Sequence, residues 1–189
     1  MRIVGLLLAA GSGSRFGGDK LRAAGEDGEA IGARACRSLV EALPDAIAIV
    51  RTGDTALSAL FASCGVSVVE CDDAVLGMGH SLACGVCASA DADGWVVALA
   101  DMPWVRASSF AAIARALRDG ASVATATHGG QRGHPVGFRR EHADALMALR
   151  GDRGGRDIIA TAGTGAVAVE VDDPGVLRDV DVPQDLDER

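Results

Sequence analysis

The sequence predicts an α/β fold, with a mostly parallel sheet and helices on both of its faces. Short, nearly continuous apolar runs alternate along the chain with longer alanine-rich runs of helical spacing. Apolar strands that are separated by helices indicate a parallel sheet buried on both faces. A loop rich in glycine and cations follows the first apolar run, which puts it at the edge where such sheets bind ligands. The length of 189 residues favours one domain.

The individual elements follow from the same patterns. Apolar runs bounded by turn residues predict strands at Ile3–Leu8, Ala46–Val50, Val66–Glu70, Trp95–Ala100, Ser122–Ala126 and Ala166–Val171. Helical spacing predicts helices at Ile31–Leu43, Thr55–Cys64, His80–Ser89 and Ser108–Asp119. The second half differs: we expect a loop at His128–Gly133, a short strand of either direction at His134–Phe138, a helix at Arg139–Arg150 and a turn at Gly151–Arg156.

Composition and charge exclude several classes of protein. A formal charge of −8 argues against a general nucleic-acid binder and against a binder of anionic membranes. No run of about 18 apolar residues predicts a membrane span. Of the five cysteines, only Cys84 and Cys87 have close spacing, and no second pair completes a zinc site. We expect buried free thiols in a reducing cytoplasm rather than a redox pair.

The loop from Ala9 to Lys20 has the chemistry of a phosphate cradle. Its glycines allow backbone N–H groups to approach an anion, and Arg15 and Lys20 supply positive charge. A dinucleotide fingerprint is excluded because Phe16 stands where glycine or alanine is needed, and a P-loop is excluded because Leu21 follows Lys20. The alternative is an ordinary flexible loop with two solvated cations.

Carboxylates follow two further segments. Asp101 comes directly after an apolar run, at the point where a buried strand opens, and a carboxylate there suits Mg²⁺. Asp179 and Asp181 flank Val180, so an extended backbone points both to the same side. A turn or helix-capping role is the alternative for Asp101, and capping of a helix that begins at Pro183 is the alternative for Asp181.

Six blocks, in order and nearly end to end, resemble the molybdenum cofactor cytidylyltransferase group of the nucleotidyltransferases. They are Leu8-Ala9-Ala10-Gly11-x-Gly13-x-Arg15-Phe16-Gly17-x-x-Lys20, Gly77-Met78-Gly79-His80-Ser81-Leu82, Leu99-Ala100-Asp101-Met102-Pro103, Gly133-His134-Pro135-Val136-Gly137-Phe138, Gly151-Asp152-Arg153-Gly154 and Asp179-Val180-Asp181-Val182-Pro183. The chain departs from that group between Leu21 and Ile31, where the usual proline turn is absent.

The resemblance implies a three-layer Rossmann-like nucleotidyltransferase fold, with a nucleotide-binding half over about 1–127 and an acceptor-binding half over about 128–189. It implies transfer of CMP from CTP to the phosphate of molybdenum-molybdopterin with release of pyrophosphate, and Mg²⁺ (or Mn²⁺) as cofactor. The implied catalytic residues are Arg15, which neutralises the β- and γ-phosphates, Lys20, which neutralises the α-phosphate region, and Asp101. The implied metal ligands are Asp101 and Asp181.

The same resemblance implies two binding surfaces. Nucleotide-binding residues are Leu8, Ala9, Ala10, Gly11, Gly13, Arg15, Lys20, Gly79 and Ser81. Acceptor-binding residues are Arg132, His134 and Arg153, because a phosphorylated pterin needs cations and hydrogen-bonding groups. A molybdoenzyme or its chaperone is a further expected partner.

Other functions remain open at this point. The same architecture could use GTP or another phosphorylated acceptor, or act as a non-catalytic cofactor-binding chaperone. A serine hydrolase is a weaker alternative, because Gly79-His80-Ser81-Leu82-Ala83 lacks the second glycine of a nucleophile elbow although Ser81, Asp101 and His134 have a suitable order.

Overall fold

A computed structural model describes residues 1–11, 16–25 and 28–186. Within them, seven strands form one sheet in the order β3-β2-β1-β4-β6-β5-β7. The strands are β1 Ile3–Leu8, β2 Ala46–Arg51, β3 Ser67–Cys71, β4 Gly94–Leu99, β5 Val123–His128, β6 Gln131–Arg139 and β7 Ala166–Glu170. The helices are α1 Ile31–Ala42, α2 Thr55–Ser63, α3 Met78–Ala88, α4 Ala107–Arg118, α5 Ala143–Met147 and α6 Arg156–Thr161, with 3₁₀ turns between some of them.

The sheet is mostly parallel, as the sequence predicts. Strand β1 pairs in parallel with both β2 and β4, and β2 with β3. Strand β6 lies antiparallel between β4 and β5, while β5 pairs in parallel with β7. The first half of β6 therefore lies at the edge where the parallel strands end.

Two apolar layers cover the faces of the sheet. Alternation along β1 sends Ile3 and Leu7 into one buried cluster and Leu6 into the other. The first cluster takes residues from α1, α2 and α4, and the second takes residues from α3, α5 and α6. The predicted α/β class, with helices on both faces, is confirmed.

The connection between β5 and β6 differs from its prediction. The predicted loop at His128–Gly133 is wrong, because strand β5 ends at His128 and β6 begins at Gln131. Only Gly129 and Gly130 connect them, with φ of 57° and 77°. Consecutive positive φ values suit the two-residue turn of a β-hairpin, and glycine adopts them without steric cost.

The predicted helix over Arg139–Arg150 is only partly confirmed. Arg139 still belongs to β6, where its N–H donates to the Ser122 carbonyl at 2.9 Å. A 3₁₀ turn follows, and α5 has only five residues. Helix α6 was not predicted, and it begins at Arg156, the last residue of the predicted turn. Pairing with the sheet therefore takes only Arg139 out of the predicted helix.

The five cysteines are free, but the expectation of buried thiols holds only in part. Cys36 and Cys71 are buried, Cys64 and Cys84 are half-buried, and Cys87 is exposed on α3. Burial, and after it the hydrogen bond with Cys71, raise the pKa of Cys84 to about 12. A thiol with a raised pKa is rarely a thiolate and reacts slowly. Among the helices of the described residues, none has the length and apolarity to cross a membrane.

Candidate active site

A cleft of about 360 Å³ opens at the carboxyl edge of the sheet. Its walls come from the residues that follow β1, β2 and β4, and from the segment that leads into α3. The described residues that line it are Leu8, Ala9, Ala10, Gly11, Gly18, Asp19, Lys20, Leu21, Arg51, Asp54, Leu57, Ala74, Val75, Gly77, Met78, Ser81, Leu99, Asp101 and Asp152. The position agrees with the rule that open α/β sheets bind ligands beyond their strand ends.

A lysine between two carboxylates lies in this region. The Nζ atom of Lys20 is 2.8 Å from Asp101 Oδ2 and 3.9 Å from Asp181 Oδ1. Lys20 belongs to a 3₁₀ turn, and its side chain is only 11% exposed, whereas those of Asp101 and Asp181 are 27% and 49% exposed. Asp101 and Asp181 come 81 and 161 positions after Lys20 in the chain, and the fold brings the three side chains together. The strand pattern predicts a shared sheet edge for the Lys20 loop and Asp101, whereas Asp181 was expected there from the resemblance.

The segment that carries Asp179 and Asp181 is fixed to the loop after β4. The N–H of Val180 donates to the Asp101 carbonyl at 2.9 Å, and the Val180 side chain is fully buried. Burial raises the pKa of Asp179, and the nearby charges of Asp101 and Asp181 raise it further. Three carboxylates therefore lie close enough to repel one another, and a cation among them relieves that repulsion.

A second aspartate of the same segment, Asp185, binds the backbone of Asp181. Asp185 Oδ2 accepts hydrogen bonds from the N–H groups of Asp181 and Val182, at 2.6 and 2.8 Å. These bonds, that of Val182 first, lower the pKa of Asp185. Asp185 thus fixes the backbone on which the Asp181 carboxylate is carried.

The carboxylates around Lys20 fit a divalent cation that is bound jointly with a ligand. Within the described residues, no group of three or more His, Cys, Asp or Glu side chains is arranged to hold a metal ion. Mg²⁺ is commonly held by one or two carboxylates together with water and substrate phosphates. The Lys20 ammonium, between Asp101 and Asp181, marks a position where positive charge is favourable.

The backbone after β1 forms one wall of the cleft. Leu8, Ala9, Ala10 and Gly11, four of the predicted nucleotide-binding residues, line it, and the first three are buried. The Ala9 N–H donates to the Ile49 carbonyl at 2.9 Å. The predicted residues Gly13 and Arg15 lie outside the described residues.

The opposite wall begins with Gly77 and the first turn of α3. Gly77 has φ of 128°, and Ser81 is buried but lines the cleft. Gly79 lies elsewhere: its N–H donates to the Gly151 carbonyl at 2.7 Å, and a Cβ there would be 2.8 Å from that same oxygen. The close approach that Gly79 allows is therefore to the 150–151 backbone, and this contact carries Asp152 to the cleft wall.

The serine hydrolase alternative lacks its required geometry. Ser81 lies inside the first turn of α3, and a 3₁₀ segment at Asp72–Leu76 precedes that helix. A nucleophile elbow needs a strand that leads directly into the turn. The elbow is therefore not formed here.

The three predicted acceptor residues occupy different environments. His134 lies in the half of β6 beside Asp101, and its buried Nδ1 atom has no partner among the described residues. Burial lowers the pKa of His134, whereas the Asp101 charge acts in the opposite direction. Arg132 is exposed on the same strand. Arg153 is 80% exposed and pairs with Asp157 at 3.3 Å. The lining of the described cleft includes none of the three.

Four charged residues of the described cleft lining were not among the predicted site residues: Asp19, Arg51, Asp54 and Asp152. Arg51 follows an apolar strand in the same way as Asp101, and this position at a strand end was the available signal. Asp152 belongs to the Gly151-Asp152-Arg153-Gly154 block of the resemblance, and the contact between Gly79 and Gly151 brings it to the cleft.

Fold and site together define an α/β protein with a cleft at the carboxyl edge of its sheet, where the half-buried Lys20 ammonium lies near the carboxylates of Asp101 and Asp181. The chain belongs to the family described as the MobA-like NTP transferase domain, whose sequence profile matches residues 5–167. It is thus a member of a nucleotidyltransferase family. A search of curated proteins found no match.

Solved structures of related shape agree with this fold. Rv0371c from Mycobacterium tuberculosis H37Rv has a TM-score of 0.83 and 24% identity over 97% of this chain and 95% of that one. A nucleotidyl transferase from Methanothermobacter has a TM-score of 0.82 and 21% identity over 97% and 94% of the two chains. A CMP:2-keto-3-deoxy-manno-octonic acid synthetase complexed with CTP has a TM-score of 0.76 and 13% identity over 99% and 96%. At these identities the likeness establishes the fold alone.

Proposed function

We propose that this protein transfers CMP from CTP to the phosphate of molybdenum-molybdopterin, with release of pyrophosphate, in molybdenum cofactor biosynthesis. The observation that carries the proposal is the Lys20 ammonium between Asp101 and Asp181, beside the cleft at the carboxyl edge of the sheet. Membership of an NTP transferase family supports the reaction class. A synthetase of the same fold, solved as a complex with CTP, supports the choice of nucleotide.

The order of strands supports separate nucleotide and acceptor sides. From β2 through β1 to β4, the strand ends carry Arg51, Ala10 and Asp101 in turn, and His134 lies in the part of β6 beside the end of β4. In this proposal the nucleotide lies along the Leu8–Gly11 backbone and Ser81, as predicted for the nucleotide-binding residues, together with Gly13 and Arg15. The acceptor approaches from the side of His134, Arg132 and Arg153.

Asp101 and Asp181 would hold the metal ion, Mg²⁺ or Mn²⁺. Their oxygens are hard ligands of the kind these cations prefer, and Lys20 already occupies the position between them. A crystal structure of Rv0371c is described as a complex with manganese. When bound, such an ion supplies Lewis-acid polarisation of phosphate oxygens.

The protein's own tasks in the reaction are alignment and charge neutralisation. A phosphate oxygen of the acceptor forms a bond to the α-phosphorus of CTP as the bond to the β-phosphate oxygen breaks, and pyrophosphate leaves with that electron pair. Lys20 lies beside the centre where charge builds up, and Arg15 is proposed to neutralise the leaving phosphates. This route needs no covalent intermediate with the protein.

Three alternatives differ in substrate or class. GTP, or another phosphorylated acceptor, could use the same fold, whereas a cofactor-binding chaperone would need no metal ligands. The presence of Lys20, Asp101 and Asp181 together favours an enzyme. We further propose a cytoplasmic location and delivery of the product to a molybdoenzyme or its chaperone, the first supported by five free thiols.

The test is pyrophosphate release from each of the four nucleoside triphosphates, with purified molybdenum-molybdopterin and Mg²⁺. We expect release with CTP that depends on the acceptor. Preferential release with GTP would replace the cytidylyl assignment, and release with none would favour the chaperone.

A further inference from the structure

Arg51 is a charged residue of the cleft that the proposed reaction does not use. It is the last residue of β2, beside the end of β1, and it lines the cleft. Its Nε–H donates to the Ala10 carbonyl at 2.8 Å across 41 residues of sequence. The guanidinium is thus held against the main chain that forms the floor of the nucleotide side.

The outer end of this guanidinium is available for a ligand. Lys20, the other cation of the described cleft lining, is paired with Asp101 at 2.8 Å. Arg51 makes no ion pair within 4.0 Å to any carboxylate of the described residues, and no described group accepts from its terminal nitrogens. A half-buried, fixed donor without an acceptor favours a ligand that supplies one.

Its location separates Arg51 from the phosphate chemistry. In the sheet order β2-β1-β4, Arg51 and Asp101 are two strand spacings apart, about 10 Å. The lining of the cleft also includes the apolar residues Leu57, Val75 and Met78. Apolar walls suit a flat ring better than a polyphosphate, and such pockets usually contain a few fixed polar groups.

We propose that Arg51 reads the nucleobase, donating its terminal N–H groups to two neighbouring acceptors on the ring edge. The inference rests on the proposed function, since it assumes a cytidine nucleotide in the cleft. Cytosine presents O2 and N3 as adjacent acceptors, and the guanidinium is a fork of donors only. Uracil has an N3–H donor at the second position, which would face another donor. Arg51 therefore selects cytosine over uracil.

The test measures equilibrium binding of CMP, UMP and pyrophosphate by calorimetry with Mg²⁺ present. Arg51→Ala is expected to weaken CMP binding by roughly 10- to 100-fold, the loss for hydrogen bonds from a charged group. Binding of UMP and of pyrophosphate should change by less than about threefold, so the preference for CMP disappears. Arg115→Ala, an exposed arginine in the last turn of α4, is the matched control.

Other outcomes overturn the inference. An equal loss of CMP and pyrophosphate binding would show that Arg51 only anchors the Ala10 backbone, and a loss confined to pyrophosphate would make it a phosphate ligand. Arg51→Lys keeps the charge but concentrates its donors on one nitrogen, so full CMP affinity in that variant would contradict recognition by the fork. Wild-type protein that binds neither CMP nor pyrophosphate would refute the proposed function itself. Unchanged CMP binding in Arg51→Ala alone would refute only the role of Arg51.

Discussion

Replacing Asp101 by asparagine keeps the shape of the side chain but removes a negative charge 2.8 Å from Lys20 Nζ. If Asp101 holds the metal ion, we expect turnover to fall by roughly 100-fold or more, the scale of losing one preorganised electrostatic group. The loss should appear in kcat, because the interaction strengthens as charge develops in the transition state.

The substitution also affects folding stability by an amount that can be bounded. At an effective dielectric of about 20, two charges 2.8 Å apart attract by roughly 6 kcal/mol, and desolvation offsets most of this. Lys20 keeps Asp181 at 3.9 Å as a second partner. The expected net loss is therefore about 1–3 kcal/mol, or a fall in Tm of roughly 2–10 °C, which leaves the protein folded.

Pyrophosphate release with CTP and acceptor, measured alongside thermal unfolding, separates these two effects. Asp91→Asn is the matched control, because its side chain is 80% exposed and pairs with Arg2 away from the cleft. The control should retain wild-type turnover. Near-normal turnover of Asp101→Asn, with its fold intact, would refute the assignment of Asp101 as a metal ligand and catalytic residue.

Three further substitutions test other parts of the account. Lys20→Ala should lower kcat more than it weakens CTP binding, whereas a change in binding alone would indicate a simple binding role. Asp185→Ala should weaken Mn²⁺ binding, because Asp185 fixes the backbone of Asp181. Electron paramagnetic resonance of Mn²⁺ measures this binding. Because the pKa of Asp185 is lowered, its carboxylate stabilises the fold above the ordinary carboxyl range, and this stabilisation is lost as the pH falls through the lowered pKa. Urea unfolding of the wild-type protein and of Asp185→Ala at about pH 3 to 7 checks this. Gly133→Ala should destabilise the fold by about 2–4 kcal/mol in urea, since its Cβ would lie 1.9 Å from the Val176 carbonyl oxygen.

The parallel core and part of the site could be predicted because both follow from local patterns. Strand β1 has the predicted bounds, and the residues after β1 and β4 meet because the carboxyl ends of parallel strands share an edge. That rule was sufficient to bring Lys20 near Asp101. The geometry of the predicted residues Gly13 and Arg15 is outside the described residues, and their roles stay predictions.

The remaining features depend on contacts between distant segments, which local patterns do not encode. A single arginine after a strand looks like a solvated cation, and only the Ala10 carbonyl identifies Arg51 as fixed in the cleft. Asp152 reaches the cleft through the bond between Gly79 and Gly151. The helix predicted over Arg139–Arg150 has helical spacing, yet its first residue, Arg139, belongs to strand β6.

The destination of the α-phosphate tests the central claim most directly. With CTP labelled at the α-phosphorus, Mg²⁺ and molybdenum-molybdopterin, we predict that the label enters the pterin product in a one-to-one ratio with pyrophosphate. We predict that kcat/KM is roughly 100-fold higher with CTP than with GTP. The reason is that two main-chain groups that hydrogen-bond the pyrimidine edge would be left unpaired by the wrong base, at about 1–3 kcal/mol each. Label that remains in CTP, or appears as free CMP, would contradict nucleotidyl transfer to this acceptor. Equal or better use of GTP would contradict the cytidylyl assignment.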